Sequence, residues 1–235
     1  MQELLRSFGQ SQLFIISLAS VGLAICIVID QAQLIAKYSG VLKERVAGGY
    51  NAAMKIMVLN RFGAALYFML ISISIDLGMT ADVIALFFCG AIAVIIIFDF
   101  FTSFLLMKQN RCSIKIMFDP NMAYKPVAMA MIAALFGILG LTFPMLLSSA
   151  NPVLRLTMAN TGFILNSVFT ILTVFFVESH IAQLIDDTDK RHRLAHFVIA
   201  VFVMRFVAAI IALLLMLAVF YHTEKLNLSM LFQNE

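Results

Sequence analysis

Residues 83–107 read VIALFFCGAIAVIIIFDFFTSFLLM, an apolar run with one charged side chain, Asp99. A membrane hydrocarbon core is about 30 Å thick, and a helix of about 20 apolar residues crosses it. In lipid such a segment must be helical, because every backbone N–H and C=O has to be hydrogen bonded within its own segment. The run therefore predicts a membrane-spanning helix that carries a buried acidic residue.

Five further apolar runs of similar length lie between polar breaks. The whole chain is 63% hydrophobic and 12% charged, with a mean hydropathy of +1.01, which leaves too little polar surface for a soluble domain. We predict that residues 1–235 form a single polytopic all-α membrane domain. The six predicted helices cover approximately residues 13–36, 52–75, 83–107, 126–147, 156–177 and 197–221.

Basic residues are unevenly distributed among the predicted loops. The first, third and fifth loops and their borders hold most of them: Lys37, Lys43, Arg45 and Lys55; Lys108, Arg111, Lys115 and Lys125; and Lys190, Arg191 and Arg193. The other side has Arg6, Arg155 and Lys225. The positive-inside rule then predicts that these three loops are cytoplasmic and that both termini are extracytoplasmic. We read the net charge of +3 as this topology signal, so no nucleic-acid partner is expected.

Motifs for catalysis or for cofactor binding are missing from the sequence. The cysteines Cys26, Cys89 and Cys112 have no CxxC spacing, and the four histidines show no metal-ligand spacing. No Ser/His/Asp order indicates a nucleophile. We therefore expect no catalytic residue, no metal site and no cofactor.

Four charged side chains interrupt four different apolar runs: Asp30, Arg61, Asp99 and Arg205. From the predicted helix ends, all four lie about 9 to 14 Å beneath the cytoplasmic boundary, at 1.5 Å per residue. An ionised side chain at membrane depth is costly unless it is paired or hydrated, so it indicates a functional site. One interpretation is two structural Arg–Asp pairs that lock the bundle.

The other interpretation is a hydrated cavity that faces the cytoplasm and binds an anion. Arg61 and Arg205 would clamp a phosphate or pyrophosphate through bidentate hydrogen bonds, with Arg155 on the outer side of the path. Asp30 and Asp99 would balance these charges in the empty site or couple transport to protons.

The fifth predicted helix has the most hydroxyl and amide side chains. We predict that these residues, together with Asn60 beside Arg61, line a polar path: Asn160, Asn166, Ser167, Thr170 and Thr173. The alternative is that they form interhelical hydrogen bonds, which are common in membranes. On the fourth helix, Ala133, Gly137 and Gly140 are expected to be close-packing positions.

Two stretches of the chain carry a family resemblance. The first is DQAQLIAKYSGVLKER, residues 30–45, with Asn60-Arg61 following in the second helix. The second runs from Arg155 through Asn166 and Thr170 to Glu178 and ends at Asp186-Asp187. Both stretches resemble the Amj family of alternate lipid II flippases. The chain differs from that family at Glu178, where aspartate is expected, at Ser167, where glycine is expected, and at Val207-Ala208-Ala209, which stands in place of a Gly-Thr run.

The resemblance implies a multi-pass protein of the bacterial cytoplasmic membrane. Its substrate would be the undecaprenyl-pyrophosphate-linked peptidoglycan precursor, moved from the inner to the outer leaflet among membrane lipids, with a homo-oligomer as one possible state. A different class is an intramembrane enzyme of isoprenoid-lipid metabolism, since Asp186-Asp187-Thr188-Asp189 is similar to an aspartate-rich Mg²⁺ motif. A third class is a non-catalytic protein of envelope assembly.

Overall fold

The computed structural model describes residues 2–110, 123–150, 155–187 and 193–232, apart from the side chains of residues 2–10, 155, 156, 158, 159 and 222–232. Within these ranges seven α-helices and one π-helix follow one another: α1 Gln2–Leu42, α2 Val46–Asp76, α3 Ala81–Gln109, α4 Tyr124–Ala150, α5 Arg155–Leu172, the π-helix Thr173–Glu178, α6 Ser179–Asp186 and α7 Arg193–Phe232. Six spans are long and apolar enough to cross a membrane, because α5, the π-helix and α6 form one continuous rod. The predicted all-α bundle of six spans is confirmed, and the chain is a multi-pass membrane protein.

The helices extend further than the hydropathy pattern predicts. α1 continues to Leu42 and α2 begins at Val46, so Lys37 lies within a helix and not in a loop. The fifth span continues to Asp186. Hydropathy identifies only the part of a helix that is apolar enough to lie in the hydrocarbon core. A helix can continue into the membrane interface where its charged side chains reach water. The four charged residues therefore lie about 15 to 22 Å from the nearer helix ends, because those ends extend beyond the predicted apolar runs.

Two apolar cores fill the bundle. The first includes Ile16, Phe88 and Ile92, together with Ala209 of α7. The second lies nearer the end of the bundle at which α1, α3 and α6 finish and α7 begins, and it includes Phe202. We name this end the basic end, since Lys37, Lys43, Arg45 and Lys108 lie on the helices and turns that meet there.

The α1–α2 hairpin is closed by two glycines. A Cβ atom added to Gly40 would lie 2.5 Å from the Cα of Gly49, and one added to Gly49 would lie 2.8 Å from the Cα of Gly40. The turn between the helices includes Glu44 at φ 55, a left-handed conformation that reverses the chain. α2 packs chiefly on α1 and only lightly on α4, where the Tyr67 hydroxyl donates to the Leu141 carbonyl over 2.7 Å.

Glycines also mark the crossing of α4 and α5. A Cβ atom on Gly140 would lie 3.0 Å from the Cβ of Leu165, and one on Gly137 would lie 3.2 Å from the Phe169 ring. The prediction that Gly137 and Gly140 are close-packing positions is confirmed. Ala133 is buried on the same helix.

The membrane orientation can be tested at the two ends of α3. Thr80 precedes this helix and Gln109 ends it, and both residues are exposed. In a variant without native cysteines, we expect Gln109→Cys to react with an impermeant maleimide only after cells are permeabilised. Thr80→Cys should react in intact cells. The opposite pattern would reverse the orientation that the positive-inside rule predicts.

Candidate functional site

A polar layer separates the two apolar cores. Along α1, Ile27 belongs to the first core and Leu34 to the second, and Asp30 and Gln31 lie between them. In the same way Asp99 follows Ile95 on α3, and Arg205 lies between Phe202 and Ala209 on α7. Apolar residues at both ends of each helix segment therefore fix the depth of the charged side chains. We refer to Asp30, Gln31, Asp99, Ser103 and Arg205 as the polar layer.

An ion pair joins α7 to α1 within this layer. The Nη2 atom of Arg205 lies 3.0 Å from Oδ2 of Asp30, with 13% of the arginine side chain and 24% of the aspartate side chain exposed. Gln33 donates to the other oxygen of Asp30 over 3.2 Å. The pair is therefore partly buried and open to one side, so a solvent molecule or an anion can approach the guanidinium.

A second ion pair lies closer to the basic end. Lys37 of α1 contacts Glu178, the last residue of the π-helix, at 2.5 Å. The lysine also lies over the ring of Tyr50 on α2, 5.3 Å from its centroid. A π-helix occurs mainly as a single widened turn at functional sites. Here the π-helix places Glu178 in contact with Lys37 of α1.

A small cleft connects the two ion pairs. Its lining includes Asp30, Gln33, Thr173, Glu178 and Arg205, and its remaining walls are apolar side chains of α1, α4, α5, the π-helix and α7. The volume is about 50 Å³. A water molecule needs about 10 to 15 Å³ of such space, so the cleft accommodates a few waters but not a pyrophosphate joined to a sugar. A large substrate would require the cleft to widen.

Asp99 lies on the other side of the layer and is almost fully buried, with 1% of its surface exposed. Arg205 and Gln31 are near enough to act on it electrostatically. Yet among the described residues no donor meets hydrogen-bond geometry with either of its carboxylate oxygens. The structure thus brings together three of the four charges singled out in the sequence: Asp30, Asp99 and Arg205.

Arg61 occupies a different environment. It lies near the middle of α2, its side chain is exposed, and it does not line the cleft. The neighbouring Asn60 is only partly exposed, and its Oδ1 atom has no hydrogen-bond partner among the described residues. In the described conformation the two predicted clamp arginines therefore do not converge on one site.

The predicted polar path along the fifth span is divided. Thr173 lines the cleft, whereas Asn160, Asn166, Ser167 and Thr170 are exposed on the surface of the bundle. The hydroxyls of Ser167 and Thr170 donate to the carbonyls of Phe163 and Asn166, four residues earlier in the same helix. These bonds satisfy the hydroxyls within their own helix and do not join two helices. Arg155 begins α5, but its side chain is outside the described part of the structure.

Sequence reasoning missed Gln31, Gln33, Lys37, Ser103 and Glu178 as members of the site. Lys37 and Glu178 lie outside the predicted spans, Lys37 in the first loop and Glu178 after the fifth helix, so the sequence predicts no pair between them. For Gln31 and Ser103 a signal did exist, since Gln31 follows Asp30 and Ser103 is four residues after Asp99 on the same helix face.

Comparisons with known protein families, with curated proteins and with solved structures find no match to this chain. The site is therefore interpreted from its own chemistry. That chemistry consists of a partly buried arginine beside a small polar cleft, inside a bundle of membrane-spanning helices.

Proposed function

We propose that the protein is a lipid flippase that moves an undecaprenyl-pyrophosphate-linked peptidoglycan precursor across the bacterial cytoplasmic membrane. The observation that carries the proposal is Arg205, a guanidinium at membrane depth that faces a cleft and is paired with a carboxylate on one side only. A guanidinium forms bidentate hydrogen bonds with phosphate as readily as with carboxylate. A substrate pyrophosphate can therefore take the place of Asp30 as its partner.

The surroundings of Arg205 suit a lipid-linked anion better than a free one. The π-helix borders the cleft, and its Val174 and Phe175 side chains are exposed apolar groups on the outer surface of the same rod. A polyprenyl chain can remain in contact with such a surface while its pyrophosphate enters the polar layer. The same resemblance to the Amj family supports this substrate class.

The cleft volume adds a requirement to the proposal. At about 50 Å³ the cleft has to widen before a headgroup enters, and the widening separates α1 from α7 and from the π-helix. Both ion pairs cross this boundary. The proposed transport cycle therefore includes breaking Arg205–Asp30 and Lys37–Glu178 and forming a contact between Arg205 and the pyrophosphate.

The direct test is growth of a bacterium depleted of its own lipid II flippases. We expect the wild-type chain to restore growth. Arg205→Lys should insert at normal levels but fail to restore growth, because an ammonium group cannot reproduce the two parallel hydrogen bonds of a guanidinium. Arg61→Lys is the matched variant outside the cleft, and we expect it to support growth.

Two results would contradict the proposal in different ways. Normal growth with Arg205→Lys at matched expression would contradict the proposal that the Arg205 guanidinium binds the pyrophosphate. If the wild-type chain inserted correctly but did not restore growth, the proposal that lipid II is the substrate would be contradicted. An enzyme of isoprenoid metabolism would instead alter an added prenyl-pyrophosphate lipid, which mass spectrometry of the recovered lipid detects.

A further inference from the structure

The charges of the polar layer do not balance. Among the described residues, Asp30 and Asp99 contribute two carboxylates to the layer, and Arg205 contributes one cation. The neighbouring Lys37–Glu178 pair is neutral by itself and leaves the difference unchanged. If both aspartates are ionised, one negative charge remains inside an apolar bundle, where an unpaired ion is very costly. The layer is one positive charge short.

The missing charge belongs at Asp99. Asp30 already receives hydrogen bonds from Arg205 and Gln33, whereas both oxygens of Asp99 are buried without a hydrogen-bond partner in the described structure. An ionised carboxylate in that state has lost its hydration and has only the Gln31 amide and the Arg205 charge near it, neither of which is within hydrogen-bond geometry of its oxygens. It is stable there only if it takes up a proton or another cation.

Further oxygen atoms surround this carboxylate. Ser103 lies one helical turn after Asp99 on the same face of α3, and its Oγ atom is buried without a partner among the described residues. Gln31 of α1 lies beside Asp99, is 1% exposed, and also has a buried Oε1 atom without a partner in that part of the chain. A carboxylate, an amide oxygen and a hydroxyl form the hard oxygen environment that alkali and other hard cations prefer.

From these observations we propose that Asp99, Gln31 and Ser103 form a binding site for one monovalent cation, either a proton on the Asp99 carboxyl or a sodium ion shared by the three side chains. Arg205 does not prevent this binding, because its charge is already offset by Asp30. The site does not depend on which lipid is transported. Its role in the cycle would be to remove the negative charge of Asp99, so that Arg205 is shared only between Asp30 and an anionic substrate.

The charged groups around Asp99 limit how its titration can be interpreted. α3 packs against α7, α1 and α4. α7 contributes Arg205 and α1 contributes Asp30, while the titratable residues of α4, Tyr124 and Lys125, lie in its first turn near the basic end. A pH dependence that disappears with Asp99 can therefore be assigned to Asp99 and its two charged neighbours.

The first experiment measures the thermal unfolding midpoint of the full-length protein in detergent. It is followed against pH in sodium-free buffer and against sodium chloride with choline chloride as the ionic-strength control. A ligand that binds only the folded state raises this midpoint. We expect the wild type to gain several degrees with added sodium, for a sodium site, or as the pH is lowered, for a proton site. Asp99→Asn should lose the gain, and Asp76→Asn, an exposed carboxylate on α2, should retain it.

A second variant separates the two cations. Ser103→Ala removes an oxygen that a sodium ion needs but a proton on Asp99 does not, so it should abolish the sodium effect and leave the pH effect. If wild type and Asp99→Asn respond equally to pH and to sodium, the proposal is overturned.

A measurement on the wild-type chain covers the case in which Asp99→Asn does not fold. Dicyclohexylcarbodiimide reacts with protonated carboxyl groups in apolar surroundings, and mass spectrometry locates the adduct. We expect labelling of Asp99 that decreases as the pH rises, with protection by sodium and not by choline if the site binds sodium. Labelling of Asp99 that is absent at every pH in sodium-free buffer, or indifferent to both pH and sodium, would overturn the proposal.

Discussion

Replacing Gly40 with alanine is expected to disrupt the α1–α2 hairpin. The new methyl group would lie 2.5 Å from the Cα of Gly49 and 2.9 Å from its backbone nitrogen, so backbone and not a flexible side chain has to move. Overpacking usually costs about 1 to 3 kcal/mol, and a backbone obstacle places this change at the upper end of that range. We expect a lower unfolding midpoint and a lower yield of monodisperse protein.

The matched controls for this prediction are two other glycines. A Cβ on Gly48, next to Gly49 in α2, would meet only the Arg45 Cβ at 3.7 Å, and one on Gly90 of α3 would meet nothing within 4 Å. Gly48→Ala and Gly90→Ala should match or exceed wild-type stability, because alanine is the better helix former by about 1 kcal/mol. If Gly40→Ala behaved as these controls do, the close approach of α1 and α2 would not exist.

The second large effect is expected when Arg205 is changed to glutamine. The substitution leaves Asp30 without its cation, and removing one partner of a buried pair costs about 3 to 5 kcal/mol. Because 24% of the Asp30 side chain is exposed, part of that cost is recovered by hydration, so we expect about 2 kcal/mol. The measurement is the unfolding midpoint together with insertion level.

A double variant distinguishes a structural pair from a substrate site. Asp30→Asn with Arg205→Gln removes both charges and should recover most of the stability lost in the single variant. It should still fail to restore growth in flippase-depleted cells, because no guanidinium remains to receive the pyrophosphate. Restored growth with the double variant would make the Arg205–Asp30 pair purely structural.

The fold class was predictable because lipid allows few alternatives. Long apolar runs in lipid have to be helices, so composition and run length were sufficient to identify six spans. The length of the apolar run did not predict where the helices end: α1 continues past Lys37 to Leu42, and the fifth span continues to Asp186. Charged side chains that reach the interface allow a helix to continue where the hydropathy falls.

The site was only partly predictable. The position of a residue along its helix can be read from the sequence, but the direction in which its side chain faces and the helices that it packs against cannot. Asp30 and Asp99 share a depth with Arg205 and both interact with it, whereas Arg61 shares the depth and is exposed. On the fifth span the prediction groups Asn166, Thr170 and Thr173 in one polar path, but only Thr173 lies where the span borders the cleft. Which part of the span borders the cleft depends on how the neighbouring helices pack, and no local sequence pattern carries that information.

The glycine contact between α1 and α2 has a mechanical consequence. Because their backbones are in contact at Gly40 and Gly49, α1 and α2 are expected to move as one rigid unit. This unit includes Asp30 and Lys37. The opposing halves of both ion pairs, Arg205 and Glu178, belong to helices outside it. Among the described residues, moving this pair of helices away breaks both ion pairs and the side-chain hydrogen bonds of Tyr38 to Asn110 and of Tyr67 to the Leu141 carbonyl, but no hydrogen bond between two backbone groups. An anion that binds Arg205 therefore breaks the Arg205–Asp30 ion pair by its own binding.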